Sequence, residues 1–317
     1  MYYDVFNGDA DGLCALHQLR LKEPVESLLI TGVKRDIALL GRVPARKGDA
    51  ITVLDVSLDS NRDALEGLLG RGVRVRYFDH HFAGAIPKHP FLQAIIEPAP
   101  DTCTSLLVDR YLGGAVRAWA VVGAFGDNLD DSARQAAQAL QLDERRLELL
   151  RELGTYLNYN AYGSTVADLH LAPDELFRRL TPYQDPFVFI LEDDAFTMLK
   201  SGYDDDVARA RRLAPEFATE DTALFILPPE PWARRVSGVF ANQLVNEAPR
   251  RAHALLTQLP EGGYVVSVRA PLTDKRNADR LCRRFATGGG RQAAAGINCL
   301  PEERFDEFVE AFLATYR

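Results

Sequence analysis

The sequence predicts an α/β protein: a doubly wound, mostly parallel sheet, joined by helices to a smaller domain of mixed α/β character. Three observations predict it. Early in the chain, short apolar runs alternate with segments of helical spacing, as in strands linked by crossover helices. Between residues 143 and 212 the helical spacing continues without a strand. Strand-like runs then return, two of them separated by a Gly-Gly turn.

Each element follows from its own residues. "YYDVF" and "SLLIT" read as strands on either side of "GLCALHQLRL", whose apolar residues recur at helical spacing. "AITVLDV" is a strand rich in β-branched residues, and "RDALEGLLGRG" a helix closed by glycine. "VRVRYF" is the next strand, and "TSLLVDRYLGG" and "RAWAVVGAFGD" are helices. "DERRLELLRELGTYL" and "PDELFRRL" continue the helical stretch, and "DDDVARARRLAPEF" ends it. "TALFILPP" restarts strand character, and "RRAHALLTQLPEGGYVVSVRAP" reads as a hairpin. "NADRLCRRFA" is helical, "TGGGRQAAAG" a glycine-rich loop, and "EERFDEFVEAFLATY" a terminal amphipathic helix. The boundaries that follow are 1–185 for the first domain, 186–215 for a helical connector and 216–317 for the second domain.

Composition narrows the function classes. The chain has 317 residues and a formal net charge of −8. That balance argues against a surface built for long duplex DNA, which needs a basic stripe. It leaves room for a small anionic substrate in a local pocket. Cys14, Cys103, Cys282 and Cys299 form no C-x-x-C pair, so neither a disulfide framework nor a thiolate zinc cluster is expected, and a reducing cytoplasm fits. The N-terminus lacks the basic-then-apolar pattern of a signal peptide, and no apolar run is long enough to span a membrane.

The informative residues stand where strands end. "NGDADG" places Asp9 and Asp11 after the first strand, with Gly12 at the opening of a helix. "VLDVS" carries Asp55, and "YFDHH" carries Asp79, His80 and His81. "GAFGDNLDD" closes a helix with Asp127 in the following loop. In a parallel sheet the first three sets emerge on one edge, where ligands of such folds sit, and Asp127 needs only to fold back over it. Each set alone reads as a turn or a cap. Asp55 is harder to dismiss, because a carboxylate inside an apolar run needs a cation or several donors. Aspartate with imidazole suits a divalent metal such as Mn2+.

With these motifs the chain resembles the DHH phosphoesterases that carry a C-terminal DHH-associated domain, among them nano-RNases and RecJ-like phosphodiesterases. The matching stretches are "NGDADG" (7–12), "LDVS" (54–57), "DHH" (79–81), the "GD" of "FGDN" (125–128) and "GGGRQAAAG" (288–296). The resemblance implies that Asp55 bridges two metals, that Asp11, His80 and Asp127 complete one site, and that Asp9 serves the other. It implies that His81 faces the scissile phosphate and that Asp79 orients a histidine ring. It implies Mn2+ as cofactor, with Mg2+ or Co2+ as alternatives; one tight ion is expected, and a departure in the first motif makes the second the weaker.

Two departures stand out. The family's first motif has a histidine shortly before its aspartates, where this chain has Val5 and Asn7, so Asn7 is a candidate ligand through its side-chain oxygen. The family's G-G-G-H loop reads "GGGR", so Gly288, Gly289, Gly290 and Arg291 are candidate substrate-binding residues with a guanidinium in place of the imidazole.

The expected activity is metal-dependent hydrolysis of short oligonucleotides, linear dinucleotides or nucleoside phosphates, by water that the metals acidify. The alternatives are a regulatory phosphate-ligand binder with a degenerate site, and a pyrophosphatase or exopolyphosphatase. The latter ranks lower because the glycine loop has few cations around it. Ser267, Arg269 and "NYNAYG" (158–163) are weaker candidates for lining a substrate pocket. The expected partners are a short oligonucleotide or nucleotide, no long duplex DNA and no membrane, with a homodimer left open.

Overall fold

The computed structural model describes residues 1–317 and divides into two units, Met1–Ser201 and Gly202–Arg317. In the first unit the chain runs β1 (Tyr2–Phe6), α1 (Ala10–Lys22), β2 (Leu28–Ile30), β3 (Ala50–Leu54), α2 (Arg62–Gly70), β4 (Arg74–Asp79) and β5 (Leu92–Ile96). Helices α3 (Thr104–Tyr111), α4 (Arg117–Gly126), α5 (Asp130–Ala137), α6 (Glu144–Asn160), α7 (Pro173–Leu180), α8 (Pro186–Glu192) and α9 (Asp194–Ala210) follow, and the division between units falls inside α9.

All five strands are parallel, in the order β2-β1-β3-β4-β5. One face of the sheet packs Val5, Val53, Val75 and Tyr77 against Leu39, Leu65 and Leu68. Phe6, Leu54 and Phe78 alternate with these along the strands and are fully buried too, so both faces are covered. The order reverses between β1 and β3, and a doubly wound sheet binds ligands outside the carboxyl ends of its strands at such a point. Asp4 and Arg20 form a buried pair on this unit that Ser27 also joins, a structural use of a carboxylate away from that edge.

The second unit holds β6 (Phe217–Ala218), β7 (Thr222–Leu227), α10 (Pro231–Glu247), β8 (Ala252–Gln258), β9 (Tyr264–Arg269), α11 (Ala278–Cys282), β10 (Gly288–Gly290), β11 (Ala294–Leu300) and α12 (Phe305–Thr315). Its six strands are ordered β10-β11-β9-β8-β7-β6 and only β7–β8 is parallel. The β8–β9 hairpin forms as its Gly-Gly turn predicts.

The segment expected as a glycine-rich loop is instead a second hairpin: Gly288–Gly290 pair antiparallel with Ala295–Ile297. The reason is close packing. A Cβ on Gly288 would lie 1.7 Å from the Cys282 carbonyl oxygen, and one on Gly290, at φ 134°, 2.5 Å from the Ala295 Cα. Arg291 sits exposed at the turn, its N–H bonded to the Ala294 carbonyl. Nor are β5 and α10 among the expected elements. No helix is long and apolar enough to cross a membrane. The four cysteines are free, Cys299 alone exposed.

Candidate metal centre

The carboxyl edge of the parallel sheet gathers the first unit's candidates. β3 ends at Leu54, and Asp55 follows with a left-handed backbone, φ 58°, its N–H bonded to the Phe78 carbonyl on β4. Asp and Asn are the residues that best tolerate this conformation, which turns the chain sharply at the strand end. The Asp55 side chain is buried and accepts from Thr104 Oγ1 at 3.1 Å. Asp11, in the first turn of α1, accepts from the Thr104 and Ser105 backbone N–H groups, each at 2.7 Å. It thereby satisfies two of the otherwise unpaired donors at the start of α3. Each of its oxygens keeps a lone pair.

His80 donates Nδ1–H to the Thr102 carbonyl at 2.9 Å, which fixes the tautomer and leaves Nε2 facing Asp55 Oδ1 at 3.4 Å and Asp127 Oδ2 at 3.8 Å. Asp127 caps the end of α4, half-buried. His81 is held through Nδ1 by fully buried Asp79 at 2.7 Å, which leaves its Nε2 free beside the His80 ring. Asp79 also accepts the His81 backbone N–H, so it orients the His81 side chain and main chain together.

Two triads follow: Asp11 with His80 and Asp127, and Asp55 with His80 and His81. In each, the donor atoms lie within 4.8 Å of one another. Both use His80, whose one free ring nitrogen is Nε2, so the two sets share that nitrogen. The electrostatics fit a cation there. Burial, then the charges of Asp11 and Asp9, push the Asp55 carboxyl well above the usual range. Burial pushes Asp127 up as well, against the pull of Lys34. Burial alone would lower the His80 pKa, but its hydrogen bond to Asp55 and the surrounding carboxylates outweigh that and push it up to about 10. The raised carboxyl and imidazole values mark a site crowded with negative charge, and a divalent ion would balance that charge with a matching oxygen and imidazole donor set.

Asp9 belongs to neither triad. Its Oδ1 caps α1 through the Gly12 N–H at 3.1 Å, and its Oδ2 takes a short ion pair from Lys34. Asn7 spends its side-chain oxygen on the Asp9 N–H at 3.2 Å and its amide on the Lys34 carbonyl at 3.2 Å. Lys34 is the site residue absent from the sequence-based expectations. "NYNAYG" serves it: Asn158 accepts from its ammonium at 3.0 Å, Ala161 from its backbone N–H at 2.9 Å, and the Tyr162 ring lies 5.7 Å away. Asn160 of that run ties down the chain at His170 and Leu171. In the second unit Arg269 bonds Asn242 and Ser267, and Gly288, Gly289 and Gly290 lie in the β10–β11 hairpin with Arg291 at its tip.

Carboxylate and imidazole groups that could hold a metal ion thus gather at the switch point of a parallel sheet. No family model matches the chain, and no curated protein matches it by sequence. Solved structures share its fold. One is exonuclease RecJ bound to manganese, with TM-score 0.65 and 18% identity over 99% of this chain and 89% of that one. Another is RecJ in complex with Mn2+ from Thermus thermophilus, with TM-score 0.67 and 19% identity. That match covers 100% of this chain but 52% of the Thermus protein, so this chain spans about half its length. A third is the pGpG-specific phosphodiesterase PggH from Vibrio cholerae, with TM-score 0.55 and 17% identity over 99% and 98% of the two chains. At these identities the likeness establishes the fold: the chain has the RecJ-like DHH fold.

Proposed function

We propose that this protein is a metal-dependent phosphodiesterase of short substrates, namely oligonucleotides of a few residues or linear dinucleotides. The observation that carries it is the gathering of Asp11, Asp55, His80 and Asp127 at one edge of the sheet, with His81 oriented beside them by Asp79. A divalent ion bound there would acidify water and draw charge from a phosphoryl oxygen. Asp11, Asp55, Asp127 and His80 Nε2 would hold that ion. His81 Nε2, aimed by Asp79, is placed to give a hydrogen bond or a proton to the phosphate. The fold is shared with an exonuclease and with a phosphodiesterase whose substrate is a linear dinucleotide. The net charge of −8 supports a short substrate over a long strand.

A second reading has its own support: Lys34 pairs with a carboxylate the family resemblance assigns to metal, as in a degenerate site that binds phosphates without turnover. One assay separates the two. The full chain with Mn2+ is offered short oligonucleotides, linear and cyclic dinucleotides and pyrophosphate, and the products are resolved. Hydrolysis of dinucleotides or short oligonucleotides is expected. Binding without product from any member would overturn the enzymatic reading, and cleavage of pyrophosphate alone would overturn the substrate class.

A further inference from the structure

We infer that the Lys34 ammonium occupies the position of a second cation, so that the centre works with one divalent ion and one fixed organic charge. This rests on the phosphodiesterase reading for its chemistry, though ion stoichiometry tests it without any substrate. One oxygen of Asp9 meets the Gly12 N–H and the other the Lys34 ammonium, while Asn7 accepts from the Asp9 N–H and donates to the Lys34 carbonyl. The Lys34 ammonium thus stands on the Asp9 oxygen that a second ion would take, and Asn7 is turned to the Asp9 N–H and the Lys34 loop.

Lys34 is built in, unlike a surface lysine folded over by chance. Its N–H donates to Ala161 and its carbonyl accepts from Asn7, so the backbone is pinned on both sides. Its ammonium has three donors: one meets Asp9, one meets buried Asn158, and Asp127 Oδ1 lies 3.8 Å away. The approach depends on glycine. A Cβ on Gly8 would lie 2.1 Å from the Gly32 carbonyl oxygen, so any other residue there would force apart the loops that bring Lys34 over Asp9. Asp127 thus lies between two positive positions: the ion site beside His80 on one side, Lys34 on the other.

An ammonium stabilises neighbouring carboxylates and can donate to an anionic ligand, but it has no exchangeable coordination position and acidifies no water. Water activation then falls to the single ion, and Lys34 contributes charge and hydrogen bonds alone.

The experiment is a Mn2+ titration of the chelator-stripped full chain by equilibrium dialysis, with electron paramagnetic resonance of the bound ion. It compares wild type, Lys34→Arg and Lys34→Met, each checked for fold by circular dichroism. Wild type and Lys34→Arg should bind one ion per chain with the spectrum of an isolated Mn2+. Lys34→Met, which frees Asp9, should take up a second ion and show exchange coupling. Two coupled ions in wild type would overturn the proposal, as would a folded Lys34→Met chain that still binds only one. A wild type that binds no ion would remove the metal reading first, and this proposal with it.

Discussion

Asp55 shows how one residue trades stability for a site. It takes a left-handed backbone, lies buried, and faces the charges of Asp9 and Asp11. A residue held this way costs of order 1–3 kcal/mol, which the rest of the fold must offset. Asparagine tolerates the same backbone, keeps an oxygen for Thr104 and cannot ionise among the crowded carboxylates. Metal-free Asp55→Asn should therefore melt at or above the wild-type temperature. Saturating Mn2+ should reverse the order, because a neutral amide oxygen holds the ion less well, and turnover should fall at least ~100-fold. Melting curves with and without Mn2+, together with a rate assay, check this; an Asp55→Asn chain that kept most of its activity would exclude Asp55 from the centre. Residues of this kind are legible in sequence because a carboxylate at the end of an apolar strand needs a special reason. Lys34 is not legible in the same way. It stands in "TGVKRD" after a three-residue strand and looks like solvent-facing charge. Only the strand order, with β2 beside β1, brings it to Asp9.

Among the elements, the β10–β11 hairpin separates what glycine permits from what it is needed for. A run of three glycines signals backbone freedom, and freedom alone does not say whether the chain curls round an anion or packs against a neighbour. Here Gly288 is pressed on the Cys282 carbonyl and Gly290 on Ala295, whereas a Cβ on Gly289 would meet nothing within 4 Å. Gly288→Ala and Gly290→Ala should each destabilise the second unit by roughly 1–3 kcal/mol or more, as overpacking does. Gly289→Ala should stay within about 0.5 kcal/mol of wild type. Thermal melts of the three variants test this, and equal losses at all three would contradict the packing. Elsewhere the periodicity is a good guide where strands are buried on both faces, as in β1, β3 and β4. It fails for β5, a half-buried edge strand with no clean alternation. Helix α10 did leave a signal, a proline in its first turn and Trp232, Val236, Phe240 and Leu244 four apart, but the strands on either side dominate that stretch.

At the scale of the whole molecule, each unit buries a histidine in its neutral form. In the first unit His17 on α1 lies against the Trp119 ring in an edge-on contact at 4.6 Å and donates Nε2–H to the Tyr183 carbonyl at 2.8 Å. It is 1% exposed, and burial lowers its pKa to about 4, against a small opposing pull from that carbonyl. In the second unit burial, with Arg251 nearby, lowers His253 to about 4 as well. The sign follows from linkage. Unfolding restores an ordinary histidine, near 6.5, so between about 6.5 and 4 the unfolded chain binds more protons than the folded one. Above that window neither state is protonated there and nothing is lost; as pH falls through it, stability declines, and below about 4 the loss is complete. For His17 the full loss is about 3 kcal/mol. Calorimetry of the chelator-stripped chain should show the second unit melting lower as pH drops from about 6.5 to about 4.5; in the first unit the raised Asp55 and Asp127 carboxyls act in the opposite sense, so the His17 share is read from the difference between wild type and His17→Gln. In His17→Gln the first unit should start lower at neutral pH, having lost the ring's packing, yet its stability should change less unfavourably than the wild type's as pH falls across the window, while the second unit keeps its wild-type slope. A first-unit slope unchanged in His17→Gln would mean that other groups carry its acid sensitivity.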